Sequence, residues 1–164
     1  MKLLICAGLA ASVFAGCQRP PVTPLSTADL EAVRAVGRVY QDAINAEDVN
    51  GIVAVFATDG ISSPPGWEQL RGHHAIRRFW EGQVTGVSGT GAFTTMAIYG
   101  ESGLAYDVGT YSYTYTDTAG VTQTRHGKFL GVYKKQADGS WKIAADMWNL
   151  TPQSTPPPRH GRSP

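Results

Sequence analysis

The sequence predicts an α+β fold, with three helices packed on one face of a curved, mainly antiparallel sheet. Three observations carry that expectation. Apolar residues between Leu30 and Trp80 recur at helical spacing. Beyond Gly91 they alternate with polar residues instead. Turn signals around Thr118-Ala119-Gly120 and at Ala137-Asp138-Gly139 divide the alternating region into long strands.

Ser26-Thr27-Ala28-Asp29 offers caps for a first helix, and Glu31 suits its first turn. Leu30, Val33, Val36, Tyr40 and Ile44 form one stripe, which sets this helix at about Ala28 to Ala46. Gly37 interrupts the stripe at a cost of about 1 kcal/mol relative to alanine. It marks either a close approach of another element or a weak spot. Asp48 or Asn50 caps a short second helix through Ile52, Val53 and Phe56, ended by Thr58-Asp59-Gly60. Pro64-Pro65-Gly66 forms a loop leading to Trp67. Gly72 precedes a third helix with Ala75, Ile76, Phe79 and Trp80 as apolar positions. Four strands follow, at Thr94–Tyr99, Leu104–Tyr115, Thr122–Lys135 and Trp141–Leu150.

The chain of 164 residues fits one domain flanked by processed or extended ends. Lys2 and the apolar run Leu3 to Phe14 read as a secretory signal. Val13-Phe14-Ala15-Gly16-Cys17 resembles the lipobox of bacterial lipoproteins, with Phe14 where an aliphatic residue is usual. The resemblance implies acylation of Cys17, export, and a lipid anchor in the cell envelope. Gln18 favours the outer membrane. Cleavage after Ala15 or Gly16, giving a free secreted protein, is the alternative. The expected organisation is a signal over 1–16, a lipidated cysteine and proline-rich tether over 17–27, a domain over 28–151, and a disordered proline-rich tail over 152–164.

Composition excludes several functions. The two cysteines, Cys6 and Cys17, both precede the domain, which therefore holds no disulfide and no thiolate chemistry. A net charge of +1 without a basic stripe argues against nucleic acid. His73, His74, His126 and His160 lack zinc-motif spacing, and no dinucleotide loop is present, so neither metal nor cofactor is expected.

Three segments, in order, carry a family resemblance. They are Ala46-Glu47-Asp48 with Val53, Phe56 and Asp59-Gly60; Leu70-Arg71-Gly72 with Ala75-Ile76 and Phe79-Trp80; and Gly127-Lys128-Phe129-Leu130 with Asp138 to Ile143, Asp146, Trp148 and Asn149. Together they resemble the nuclear-transport-factor-like fold of ketosteroid isomerases and SnoaL-like polyketide cyclases. The resemblance implies a cone whose open end is a pocket, and a homodimer formed through the opposite sheet face.

Strand alternation sorts the candidate site residues. Lys142, Ala144, Asp146 and Trp148 share one face of the last strand; Trp141, Ile143, Ala145 and Met147 share the other. By resemblance the Asp146 face points into the cone. A carboxylate there serves either as an acid or base with a raised pKa or as a paired structural group. Asp107 shares parity with Tyr111 and Tyr113, a row that faces either the pocket or solvent. Tyr40 matches the oxyanion-hole tyrosine of the isomerases. Their base, however, falls at about Ser63 or Pro64 and their acid near Gly131, and none of these is a carboxyl group. The catalytic candidates are therefore Asp146, Asp107 and Tyr40, without a complete isomerase set. The expected ligand-binding residues are Tyr40, Trp67, Trp80, Tyr111, Phe129, Tyr133, Asp146, Trp148 and Asn149. Of the adjacent Phe79 and Trp80, one belongs to the core and the other to the rim. Lys128 faces outward by strict parity, unless a bulge turns it toward Asp146 or Asp107. The expected ligand is a small apolar or aromatic molecule in a non-catalytic pocket. The alternatives are an acid/base enzyme of the cyclase, isomerase or hydratase type and a structural or assembly module.

Overall fold

Helix formation begins where Ser26 caps α1 (Thr27–Asn45): its hydroxyl accepts from the Asp29 N–H, and the Asp29 carboxylate accepts in return from the Ser26 N–H. Asp29 also accepts from Lys135 Nζ at 2.7 Å and from Trp141 Nε1 at 3.2 Å. One carboxylate thus starts the helix and fixes it to the end of the sheet. The computed structural model describes residues 22–83, 89–117 and 119–152. The signal, Cys17, the first part of the tether and nearly all of the tail lie outside the described residues.

After α1 come α2 (Val49–Ala54), β1 (Phe56–Ser63), β2 (Leu70–Arg71), α3 (Gly72–Gln83), β3 (Gly89–Glu101), β4 (Leu104–Thr116), β5 (Thr122–Lys135) and β6 (Trp141–Leu150). The strands form one sheet in the order β2-β1-β6-β5-β4-β3. Only β1 and β6 run parallel; every other pair is antiparallel. The α+β expectation holds.

The sequence reading needs correction around Phe56. That residue opens β1 and does not close the second helix, which ends at Ala54. The segment Phe56 to Ser63 looked like a helix end and loop because Asp59 and Gly60 are poor strand formers. Pairing with β6 overrides that local preference. Likewise β3 starts at Gly89, five residues before the expected Thr94. The last residues of the segment expected as a tether lie against the domain. Thr23 hydrogen-bonds Ser102, Pro24 bridges Glu101, and Leu25 packs on the core.

Two single-residue bulges shape the sheet, beside a larger break in the β1–β6 pairing between Phe56 and Ile61. In β6, Val132 pairs with Ala145 and Tyr133 with Ile143, so Ala144 is an extra residue. In β3 the pairing skips Met96. A bulge bends its strand and increases local twist. It also shifts side-chain parity by one. Trp141 and Ile143 therefore share the concave face with Asp146 and Trp148, whereas Lys142 turns outward. This corrects the strict alternation expected for the strand.

The core lies at the closed end of the cone. Val33, Ile52, Phe56, Ile76, Tyr133 and Ile143 are buried where α1, α2 and α3 meet the sheet. Each such apolar side chain contributes roughly 1.5–3 kcal/mol by leaving water. At the open edge, α1 closes the side of the cone. Asn45 both donates to Gly91 O at 3.0 Å and accepts from its N–H at 2.6 Å, while Gln41 accepts from the Phe93 N–H at 2.8 Å. Three backbone groups of edge strand β3 are thereby satisfied by helix side chains.

Candidate functional site

The concave sheet face, α1 and α3 enclose a cavity of about 670 Å³. Aromatic rings form much of its wall. The Tyr40 ring meets Phe56, Trp80 and Phe93 at centroid distances of 5.7, 6.2 and 6.0 Å. Trp80 stacks on Trp148 at 6.3 Å, and Phe93 touches both Phe129 and Tyr111. Such offset and edge contacts add stability beyond the area buried. The rings lie close to the sheet because glycines sit beneath them. A Cβ on Gly109 would stand 2.6 Å from the Phe129 ring, and one on Gly127 would collide with Tyr111. Glycine at these positions lets each ring flatten and leaves the middle of the cone open.

Three carboxylates border this space, Glu47, Asp107 and Asp146, and the two aspartates each have a shielded oxygen. Asp146 Oδ2 accepts a hydrogen bond from the Tyr40 hydroxyl at 3.2 Å, while Oδ1 is shielded and has no partner. Ser62 lies opposite Asp146 on β1, fully buried and without an aligned hydrogen bond. Burial pushes the Asp146 pKa from its ordinary 3.8 up to about 7, against the opposing pull of the Ser62 and Tyr40 hydroxyls. Asp107 is 4% exposed. Its Oδ2 accepts from Thr95 Oγ1 at 3.0 Å, and its Oδ1 also lacks a partner. Burial raises its pKa too, while Thr95 and the more distant Arg34 charge pull it down.

Strand register sets the two acids apart. Asp107 on β4 and Asp146 on β6 both face Gly131 on the intervening β5. Two strand spacings separate their backbones by about 10 Å. Gly131 contributes no side chain to the gap, which Tyr133 overlies: a Cβ at Gly131 would stand 3.1 Å from the Tyr133 hydroxyl. Burial raises the Tyr133 pKa, and the negative charges of Asp107 and Asp146 raise it further. Tyr40 is raised first by burial and then by Asp146. Both phenols therefore stay neutral and act as hydrogen-bond donors or acceptors. Gly37 borders the same space, 3.8 Å from the Tyr133 hydroxyl measured from a Cβ placed on it. That is ordinary contact, so no close approach demands glycine there.

The cavity brings together Tyr40, Trp67, Trp80, Tyr111, Phe129 and Tyr133 with Asp107, Asp146 and Trp148. Asn149 is not among the lining residues. It pairs with Lys128 across β5 and β6, on the opposite parity to Trp148, and is exposed. Lys128 keeps the outward parity and does not reach either acid. Phe79 and Trp80 both border the cavity, Phe79 through an edge contact with Trp67 at 5.4 Å. The sequence reading missed Phe93, Thr95 and Ser62. Extending the alternation back through Phe93 would have found the first. Ser62 was hidden because β1 was not recognised. Among the described residues, no group of three or more His, Cys, Asp or Glu side chains gathers as a metal site.

Solved structures with this architecture are numerous and distant in sequence. A ketosteroid isomerase-like protein from Erwinia carotovora atroseptica is 22% identical, with a TM-score of 0.72 over 78% of this chain and 100% of its own. A putative aromatic ring hydroxylase from Novosphingobium aromaticivorans is 19% identical, with a TM-score of 0.71 over 79% of this chain and 93% of its own. A function-unknown protein from Mycobacterium tuberculosis is 23% identical, with a TM-score of 0.70 over 77% and 74% respectively. At such identities the likeness concerns the fold alone. No curated protein matches the chain. The SnoaL-like domain family matches residues 36–144, from the middle of α1 into β6 and across the cone just described. The chain belongs to the SnoaL-like domain family.

Proposed function

We propose that this is an exported, lipid-anchored envelope protein whose cone binds a small apolar or aromatic molecule. The observation that carries the binding reading is the aromatic-walled cavity of about 670 Å³. Its size falls in the range of ordinary small-molecule sites, and a few polar groups converge within it. Titration with the apolar dye Nile red tests this. Dye emission should rise on binding the native protein, and Trp148→Ala should weaken binding about tenfold through loss of one stacking wall. Equal binding by the two proteins would remove the cavity from the account.

A second reading is favoured by one observation, the hydrogen bond between Tyr40 and the near-neutral Asp146. A base with a pKa near the working pH suits proton transfer. Turnover of a lactone, epoxide or enolisable ketone, with a limb near pH 7 that disappears in Asp146→Asn, would replace passive binding by acid/base catalysis.

The anchor reading rests on Cys17 following Ala15-Gly16. Radiolabelled palmitate should enter the native protein and not Cys17→Ser. A native protein that takes up no label is not a lipoprotein. The exposed convex sheet face is proposed to hold a second copy of the chain.

A further inference from the structure

We propose that the ligand of this cone carries an organic cation, an ammonium group on an aromatic or alicyclic body, held between Asp107 and Asp146. The inference rests on the binding reading above and names its chemical class. Both acids border the cavity, and among the described residues neither forms an ion pair. Each has one shielded oxygen without a partner. An ionised carboxylate left in this state is costly, and a cation beside it offsets the cost.

The groups facing the two acids supply no such cation. Tyr40 comes from α1, Tyr133 from β5, Thr95 from β3 and Ser62 from β1. All are neutral. Arg34 and Arg38 border the cavity from α1 and Arg125 from β5, yet among the described residues none is paired with either acid: Arg34 is bound to Glu31 at 2.7 Å and acts on Asp107 only at a distance, and Arg125 lies over the Tyr115 ring at 5.0 Å. The aromatic walls complete the case. Tyr40, Trp80, Phe93 and Trp148 line the same cavity as the acids, Tyr40 in direct contact with Asp146, and aromatic faces attract cations. Above about pH 7, where Asp146 is ionised, a neutral ligand leaves the acids uncompensated and an anion is repelled by them.

Charge linkage gives the inference a signature. A bound cation favours the ionised form of Asp146 and Asp107, so binding near neutral pH releases protons. Affinity for a cation therefore rises with pH through about 7. A ligand that accepts a hydrogen bond from a protonated acid behaves oppositely: it takes up protons and binds better as pH falls.

Calorimetric titration of the native protein with three probes of matched body tests this. The probes are naphthylmethylammonium, naphthalenemethanol and naphthoate. At about pH 8 the ammonium should bind at least about tenfold more tightly than the alcohol, and the gap should close toward about pH 5. Titrations near pH 7 in buffers of different ionisation enthalpy should report proton release for the ammonium alone. Asp146→Asn and Asp107→Asn should each shrink the gap. The native pH series carries the same information without a variant. If the alcohol or naphthoate binds as well as the ammonium at about pH 8, or if neither variant changes the gap, the cation inference falls and the binding reading stands. If none of the three binds, both fall.

Discussion

Asp146 shows at the scale of one residue how burial becomes pH dependence. Its carboxyl holds a proton up to about pH 7 in the folded chain, against an ordinary value of 3.8. Between those values the folded state binds more protons than the unfolded state, so stability falls as pH rises through this window and levels off above it. Asp107, raised for the same reason, adds a contribution of the same sign. Asp29, Asp117 and Asp138 act oppositely, since hydrogen bonds hold them below the usual carboxylate range. Their stabilisation is lost as pH falls below about 4 and does not overlap the window of Asp146. Asp146→Asn keeps an acceptor for the Tyr40 hydroxyl and offers an N–H toward Ser62. It should raise stability at about pH 8 by an amount on the order of a few kcal/mol, and flatten the slope between about pH 4 and 7. Urea unfolding at a series of pH values measures this. A native slope that persists in the variant would place the titration elsewhere.

At the scale of elements, what sequence revealed followed from local pattern, and what it hid depended on pairing. The stripe through Val33, Val36 and Tyr40 is a local signal, and α1 forms where it lies. The alternation in β4 and β5 is equally local, and it placed Asp107, Tyr111, Phe129 and Tyr133 on one face. Nothing in Phe56 to Ser63 announces a strand, because its ladder is made with β6, some ninety residues away. The bulge at Ala144 is also invisible to periodicity. A two-residue alternation carried along β6 puts Ile143 and Asp146 on opposite faces, and the extra residue brings them together. Asp146 and Trp148 were assigned to the cone through family likeness, since parity alone would have kept Lys142 with them. Asn149 failed for the opposite reason: no bulge intervenes after Trp148, so simple alternation sends it outward. Partner distance also explains the glycines. Gly109 and Gly127 are weak strand residues in isolation, and only the rings of Phe129 and Tyr111 on neighbouring strands account for them.

At the scale of the whole molecule, the two faces of the sheet divide the work. The concave face holds the cavity, and the convex face exposes Met96, Tyr99, Leu104 and Tyr106 at 74, 56, 53 and 43%. The rings of Tyr99 and Tyr106 lie 5.4 Å apart on adjacent strands, so these two residues form one apolar surface. Contiguous apolar surface of this kind marks an interaction site. The proposed anchor at Cys17 would set how such a face sits near a bilayer. Thr23 and Pro24 are held on the β3–β4 hairpin, so a lipid on Cys17 is separated from the folded domain by a few residues, a span of about 20 Å when extended. In that proposal the hairpin end of the sheet faces the membrane. Tyr106→Asp places a charge in the middle of this patch, on the face opposite the cavity. Sedimentation of the soluble domain should show a dimer for the native sequence and a monomer for the variant, with Nile red binding unchanged. A native chain that sediments as a monomer at micromolar concentration would leave the convex face without its proposed partner. A variant that remains dimeric would move the contact to another surface.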